Sequence, residues 1–276
     1  MMPKVILALI DGGPLSDATL EAALSLAKRF GAQLEVLHVR ADPATMISMV
    51  GGGIPSAAMV EPAIEVIEEA SQERAQRARA AFDRIATKAG AAATWRQEAG
   101  LEPVVLAGAA RLSDLTVIGR PDATSDSQLP ASLEAALFDT GRPVLVVPPT
   151  SLRTIGRKIA IAWNGSSKES RAVAAALPFL ERTETVTVLT VPAGKRGSSG
   201  EALAAYLGLH GVKATVESID PQGKSIGKAL LEDAQGRGVD LLVMGAWGHS
   251  RIREMILGGV TREVLTQTTL QVLMAH

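Results

Sequence analysis

A chain of 276 residues exceeds the usual single-domain size, so two compact units of roughly 120 to 150 residues each are expected. Hydrophobic residues make up 47% and charged residues 21%, with only eight aromatics, so the core must be filled by Ala, Val, Leu and Ile, as in an α/β protein. The formal charge of −1 leaves no basic field for a nucleic-acid backbone, and the lack of cysteine excludes thiol nucleophiles, disulfides and Cys-based zinc sites.

In chain order, the apolar run Val5 to Ile10 stops at Asp11-Gly12-Gly13. It is too short for the apolar core of a signal peptide and reads as a strand entering a turn. Nothing further along approaches the roughly 20 apolar residues of a membrane span, and a soluble cytoplasmic protein is the expectation. An Ala/Leu-rich helix follows, then a strand from Leu34 to Val39. Ala44 to Val60 is rich in Gly and Pro yet carries Met46, Met49, Ile54 and Met59. That mixture fits a lid or a partner contact, and equally a loop folded back over its own sheet edge. From Glu61 to Lys88, residues Ile64, Ile67, Ala70, Arg74, Ala78, Phe82 and Ile85 recur at helical spacing, which predicts a packed helix with a solvated outer face. A buried strand closed by glycine, Ser113 to Gly119, then a helix with a final strand, Leu133 to Val147, complete this half.

The same blocks then recur. Lys158 to Gly165 repeats the first strand and turn, Val186 to Val191 the second strand, Val239 to Gly245 the strand closed by glycine, and Thr261 to Ala275 the terminal helix and strand. The long helix of the first half is compressed into Ser199 to Leu209. Between the copies, Pro148-Pro149-Thr150-Ser151 removes two ladder donors, so the chain should leave the sheet there. Apolar strands alternating with helices predict parallel sheets covered on both faces. The fold class is therefore α/β, with two flavodoxin/Rossmann-like doubly wound domains in tandem, residues 1–149 and 154–276.

In such sheets a ligand lies outside the carboxyl ends of the strands, where the strand order reverses. The most informative loop there runs from Gly245 through Gly248 and His249 to Gly258, Gly259, Val260 and Thr261. Gly245 and Gly248 would let the backbone turn tightly and approach a ligand. Gly258-Gly259 would open a helix whose free N–H groups favour an anion such as phosphate. Thr261 would add a hydroxyl or merely cap the helix.

This stretch resembles the nucleotide-binding motif of universal stress proteins, Gly-x2-Gly-x9-Gly-Ser/Thr, with Gly245, Gly248 and Gly258 at the glycine positions. The resemblance extends to the first-strand turns, the paired strands at Asp114 and Asp240, and the ending Pro143-Val144-Leu145-Val146-Val147, so nearly the whole chain looks like a tandem member. It implies an adenosine nucleotide, ATP or AMP, in the second half, with phosphates on the glycine motif and adenine near Asn164 and Val191. Two positions depart from the pattern: Gly259 stands where a Ser or Thr is usual, and Asn164 stands where an acid is usual. In the first half, Gly119 is followed by Arg120-Pro121-Asp122 with neither further motif glycine, and Asp11 reads as a turn residue more than a ligand contact. The resemblance also implies pairing through the final strands, with Val144 to Val147 and Val272 to Met274 as the two edges of an intramolecular pseudo-dimer. That pair is either a complete unit or one that dimerises again, and a protein partner is left open.

Rival chemistries find less support. Gly223-Lys224-Ser225 lacks the first glycine of a P-loop, no Gly-x-Gly-x-x-Gly follows either first strand, and Gly197-Ser198-Ser199-Gly200 reads as a flexible loop without a hydrolase elbow. The four histidines have no ligand spacing. His249 alone falls in the motif, as a phosphate contact or, with no visible partner, an acid or base. The readings therefore rank as a nucleotide-binding stress regulator, then a stress protein acting through a partner or another small molecule, then a slow ATP hydrolase.

Overall fold

The computed structural model describes residues 2–43, 57–89, 92–120, 130–149, 154–191, 199–246 and 259–276. The first half contains β1 (Val5–Leu9), α1 (Ser16–Phe30), β2 (Gln33–Arg40), α2 (Ala57–Ala89), β3 (Ala93–Ala99), α3 (Glu102–Ala110), β4 (Leu115–Gly119), α4 (Ala131–Phe138) and β5 (Val144–Val147). The second contains β6 (Lys158–Trp163), α5 (Ser167–Leu180), β7 (Thr185–Thr190), α6 (Gly200–Leu209), β8 (Ala214–Ser218), α7 (Ile226–Gly236), β9 (Leu241–Gly245), α8 (Gly259–Gln267) and β10 (Gln271–Ala275).

All ten strands join one sheet, in the order β3-β2-β1-β4-β5-β10-β9-β6-β7-β8. Pairing is parallel everywhere except at the centre. There β5 and β10 run antiparallel, with Val146 opposite Val272, Leu145 opposite Leu273 and Val144 opposite Met274. Because the side-chain period of a strand is two, alternate residues fill opposite faces, and each face carries one apolar cluster that runs through both halves. Ile6, Ala8, Ile159 and Ile161 pack under α1, α2, α5 and α6, while Leu7, Leu9, Ala160 and Ala162 pack under α3, α4, α7 and α8. The α/β, doubly wound expectation is borne out.

An aspartate just before β4 and its counterpart before β9 clamp the start of the first strand of each half. The Asp114 carboxylate accepts from the N–H groups of Lys4 (2.7 Å) and Val5 (3.0 Å), and Asp240 accepts from those of Arg157 (3.0 Å) and Lys158 (3.1 Å). These charge-assisted bonds satisfy strand-end donors that otherwise face only water. Across the seam, Phe30 and Phe179 meet edge to face with ring centroids 5.0 Å apart. Arg29 lies over both rings and donates to the carbonyls of Phe179 and Ile155.

Several expectations are corrected. Two strands, β3 and β8, form the outer edges of the sheet in segments where no strand was expected. The long helix begins at Ala57, and its inward face is Ser71, Ala75, Ala78, Phe82 and Ile85; Ala70 and Arg74 are exposed. Arg74 therefore falls outside the packed stripe, because the buried positions step through Ser71 and Ala75. Ser199 and Gly200 do not belong to a flexible loop. Ser199 caps α6, its hydroxyl accepting from Ala202 N–H at 3.2 Å, and a Cβ on Gly200 would sit 2.6 Å from Val216. Residues 44–56 of the Met-rich segment lie outside the described residues. No helix among the described residues is long and apolar enough to cross a membrane.

Candidate functional site

The strand order reverses between β6 and β9. From β6 the chain winds outward through β7 and β8 on one face, then returns through α7 to β9 and β10 on the other. The crevice of an open α/β sheet lies at such a point. Trp163 pairs with Thr190, so the next residues, Asn164 and Val191, stand side by side at the carboxyl ends of β6 and β7. Val191 is partly buried against the apolar cluster, and Asn164 is exposed.

The turn after β6 is built like the turn after β1. Gly12 and Gly165 both take φ of +78°, a left-handed conformation that glycine adopts without steric cost. In the first half, Asp11 Oδ1 accepts from Gly13 N–H at 2.8 Å, and Gly12 N–H donates to Ser16 Oγ at 3.0 Å. In the second, Asn164 Oδ1 accepts from Ser166 N–H at 2.9 Å, and Asn164 N–H donates to Glu169 Oε2 at 2.6 Å. The turn role expected for Asp11 is what the structure shows.

Glu169 was not anticipated from the sequence as a site residue. It lies five residues after Asn164, as Ser16 does after Asp11, and its side chain is 9% exposed. The second half thus has an amide where the first has a carboxylate, and a carboxylate where the first has a hydroxyl. The signal was present as Ser166-x-x-Glu169, the capping-box pattern, and the structure shows both reciprocal bonds at the N-terminus of α5. Burial pushes the Glu169 carboxyl up to about 7, even though the N–H groups of Asn164, Ser166 and Gly165 favour its ionised form.

Gly245 ends β9 directly against this cap. A Cβ there would lie 2.8 Å from Glu169 N and 2.9 Å from the Lys168 carbonyl carbon. Its φ is not left-handed, so what requires a glycine here is the close approach of α5. A Cβ on Gly119, its counterpart, would meet the side chains of Leu15, the residue before α1, and Thr19.

Gly259 and Val260 open α8 and line a groove of about 460 Å³ that runs along this helix past Arg262 and Glu263 to Thr266 and Gln267, with Ser225 and Ile226 at the start of α7 as its other wall. No acidic residue stands in the first turn of α8, and among the described residues nothing lies within 4 Å of where a Gly259 side chain would begin. Thr261, in that first turn, is buried. The structure thus places Asn164, Val191 and Gly245 along adjacent strand ends, and Gly259 and Val260 at the helix end. Gly248, His249 and Gly258 lie outside the described residues. Among the described residues no group of His, Asp and Glu could hold a metal ion.

The equivalent crevice of the first half is covered. The backbone of α2 crosses the turn so closely that a Cβ on Gly12 would fall 2.2 Å from the Arg74 carbonyl oxygen, and Arg77 Nε donates to Gly12 O at 3.2 Å. The shorter α6 stands in that place in the second half.

Comparison with known proteins agrees with this architecture. The family model described as the universal stress protein family matches residues 2–120 and 201–276. A universal stress protein of Synechocystis is 26% identical, with 98% of this chain and 99% of that protein aligned. Among solved structures, a universal stress protein from Archaeoglobus fulgidus superposes with a TM-score of 0.68 at 20% identity, covering 98% of this chain and 97% of the other. A protein of unknown function from Pseudomonas aeruginosa superposes with a TM-score of 0.59 at 16% identity, covering 99% and 92%.

Proposed function

Because this chain belongs to the universal stress protein family, as a tandem member, we propose that its second half binds an adenosine nucleotide, ATP or AMP, and acts as a ligand-responsive stress regulator. The observation that carries this reading is the helix start at Gly259 and Val260, which lines one end of a groove along α8 in the same half as the strand ends at Asn164 and Val191. The free N–H groups and dipole of a helix start favour an anion, and Arg262 beside them adds a cation that forms no ion pair among the described residues. The partly apolar end of β7 at Val191 offers a wall for a flat base. The first half does not share this role, because α2 lies over its turn.

The test is calorimetry with ATP and AMP on the wild type and on Gly259→Glu. The substitution meets no atom of the described residues within 4 Å and sets a carboxylate where phosphate would sit. Affinity should fall at least about tenfold, as one lost charge-assisted contact implies, with the melting temperature nearly unchanged. If wild-type protein binds no nucleotide, the reading fails.

A further inference from the structure

We infer that the second half carries a separate oxyanion site, fitted to a phosphate group, made by Lys168 and Arg171 of α5 and His276 at the end of β10, on the rim where the two halves meet. None of its three side chains is among those assigned to the nucleotide.

Lys168 lies in the first turn of α5 and packs against the end of β9, its Cβ 3.0 Å from where a Gly245 side chain would begin. Arg171 follows three positions later, on the same side of the helix. Gly245 pairs with Ala275, and Ala246 N–H donates to Ala275 O at 2.8 Å, so His276 emerges beside that same strand end. Its ring meets Phe138 of the first half edge to face, with centroids 4.7 Å apart. Continuing the antiparallel register from Val144 opposite Met274 puts a further cation, Arg142 of the first half, opposite His276. Among the described residues neither Lys168 nor Arg171 has an ion-pair partner. Burial lowers the Lys168 ammonium, and Arg171 lowers it further; burial lowers the His276 imidazole, followed by Lys168 and Arg171. No described carboxylate pulls either group back.

The first half shows that the fold itself does not need these charges. A Cβ on Gly119 would meet Leu15 where one on Gly245 would meet Lys168, so the two positions are equivalent. Three residues on, Ala18 stands where Arg171 does, and Pro148 follows β5 where His276 follows β10. The same backbone positions are thus uncharged in one copy and cationic in the other.

A cation in the first turn of a helix opposes the macrodipole, and like charges one turn apart repel, so the second half loses stability by holding this cluster. Local choices that work against the fold collect at functional sites. An oxyanion reverses the sign of each of these effects. Lys168 offers a compact charge, Arg171 a planar fork of donors, and the His276 imidazole a further donor once it takes a proton. A phosphate group, with about −1.5 to −2 charges near neutral pH and three strong acceptor oxygens, matches such a set better than a monovalent halide does.

His276 itself reports on the site. In NMR titrations of the full chain, its imidazole midpoint should move to higher pH when sodium chloride is replaced by inorganic phosphate at equal ionic strength. The melting temperature should rise by about 2 °C or more at a phosphate concentration roughly tenfold above Kd. Phosphate also stabilises folded chains by exclusion from their surface. Lys168→Leu with Arg171→Ala, which copies Leu15 and Ala18 of the first half, reports that part alone. This double variant should melt at or above the wild type in chloride, gain less from phosphate, and show a His276 midpoint that phosphate does not move. Arg171→Gln, read by the same midpoint, guards against a folding defect in the double variant. AMP at the same concentration separates two sources of the group: a response at least equal to that of phosphate makes the phosphoryl end of a nucleotide the occupant, and a smaller one makes it the free anion. A wild-type His276 midpoint indifferent to both, or a phosphate gain equal in wild type and double variant, overturns the inference. The nucleotide reading, tested through Gly259→Glu, stands or falls separately.

Discussion

At the scale of single residues, Glu169 is a carboxyl group held almost out of water. Its ordinary value is 4.5 and its folded value about 7, so the native state holds the proton more tightly than the unfolded chain does. The sign follows: this contribution to stability is complete below about 4.5, declines as pH rises towards 7, and is gone above it. The shift corresponds to about 3 kcal/mol across that range. Urea unfolding at pH 5, 6, 7 and 8 should show the wild type losing stability over this window. Glu169→Gln, which keeps an acceptor for Asn164 N–H but cannot ionise, should flatten that part of the profile. A profile of unchanged slope in the variant would mean that Glu169 ionises without cost. The sequence displayed the substitution at Asn164 plainly. It did not display that Ser166 N–H would fold back onto the amide oxygen from two residues later.

Elements were legible in proportion to how completely they are buried. The central strands β1, β4, β6 and β9 read as apolar runs ending in glycine, because both their faces are covered. The edge strands β3 and β8 carry Thr94, Arg96, Gln97 and Glu98, and Thr215, Glu217 and Ser218, so they give no such run. Charges on an edge are what keep it from pairing with another sheet, and the same charges hide it from a hydrophobicity argument. Arg96 bridges Glu35 and Glu98 across that edge. The glycines divide in the same physical way. Gly245→Ala would push a methyl into the α5 backbone, which cannot yield as a side chain can, and should cost about 2 to 3 kcal/mol of unfolding free energy. Gly108, inside α3 with none of the described residues near its missing side chain, should instead gain about 0.5 to 1 kcal/mol on replacement by Ala. Chemical denaturation of the two variants side by side checks both signs, and a neutral Gly245→Ala would remove the packing explanation for that glycine.

For the whole molecule, the repeat was visible in the sequence and the pairing through the last strands was implied by the family resemblance, whereas the sharing of both apolar clusters across the seam was in neither. β5 is four residues long and buried throughout, with β4 on one side and β10 on the other. Covalent linkage holds β10 beside it at high effective concentration, and Arg29 and Arg120 tie the halves further by donating to carbonyls of the second half at Ile155, Phe179 and Thr266. Residues 1–149 expressed alone would lose every one of these partners. The freed edge of β5 is apolar, uncharged and already shaped for an antiparallel neighbour, and such an edge recruits another strand. The half-chain should therefore form a homodimer through β5 or precipitate. Mixed with residues 150–276, it should form a one-to-one complex. Light scattering coupled to size exclusion, over a concentration series, distinguishes these states. A half-chain that stays monomeric and unfolds cooperatively would instead mean that each half is stable by itself and that the seam only aligns two finished domains. In that case the second half could be expected to bind nucleotide alone. If the dimer or the complex forms, the nearby strand ends, Gly245 and Ala275 among them, are held in register through β10, which pairs with β5 on one side and β9 on the other.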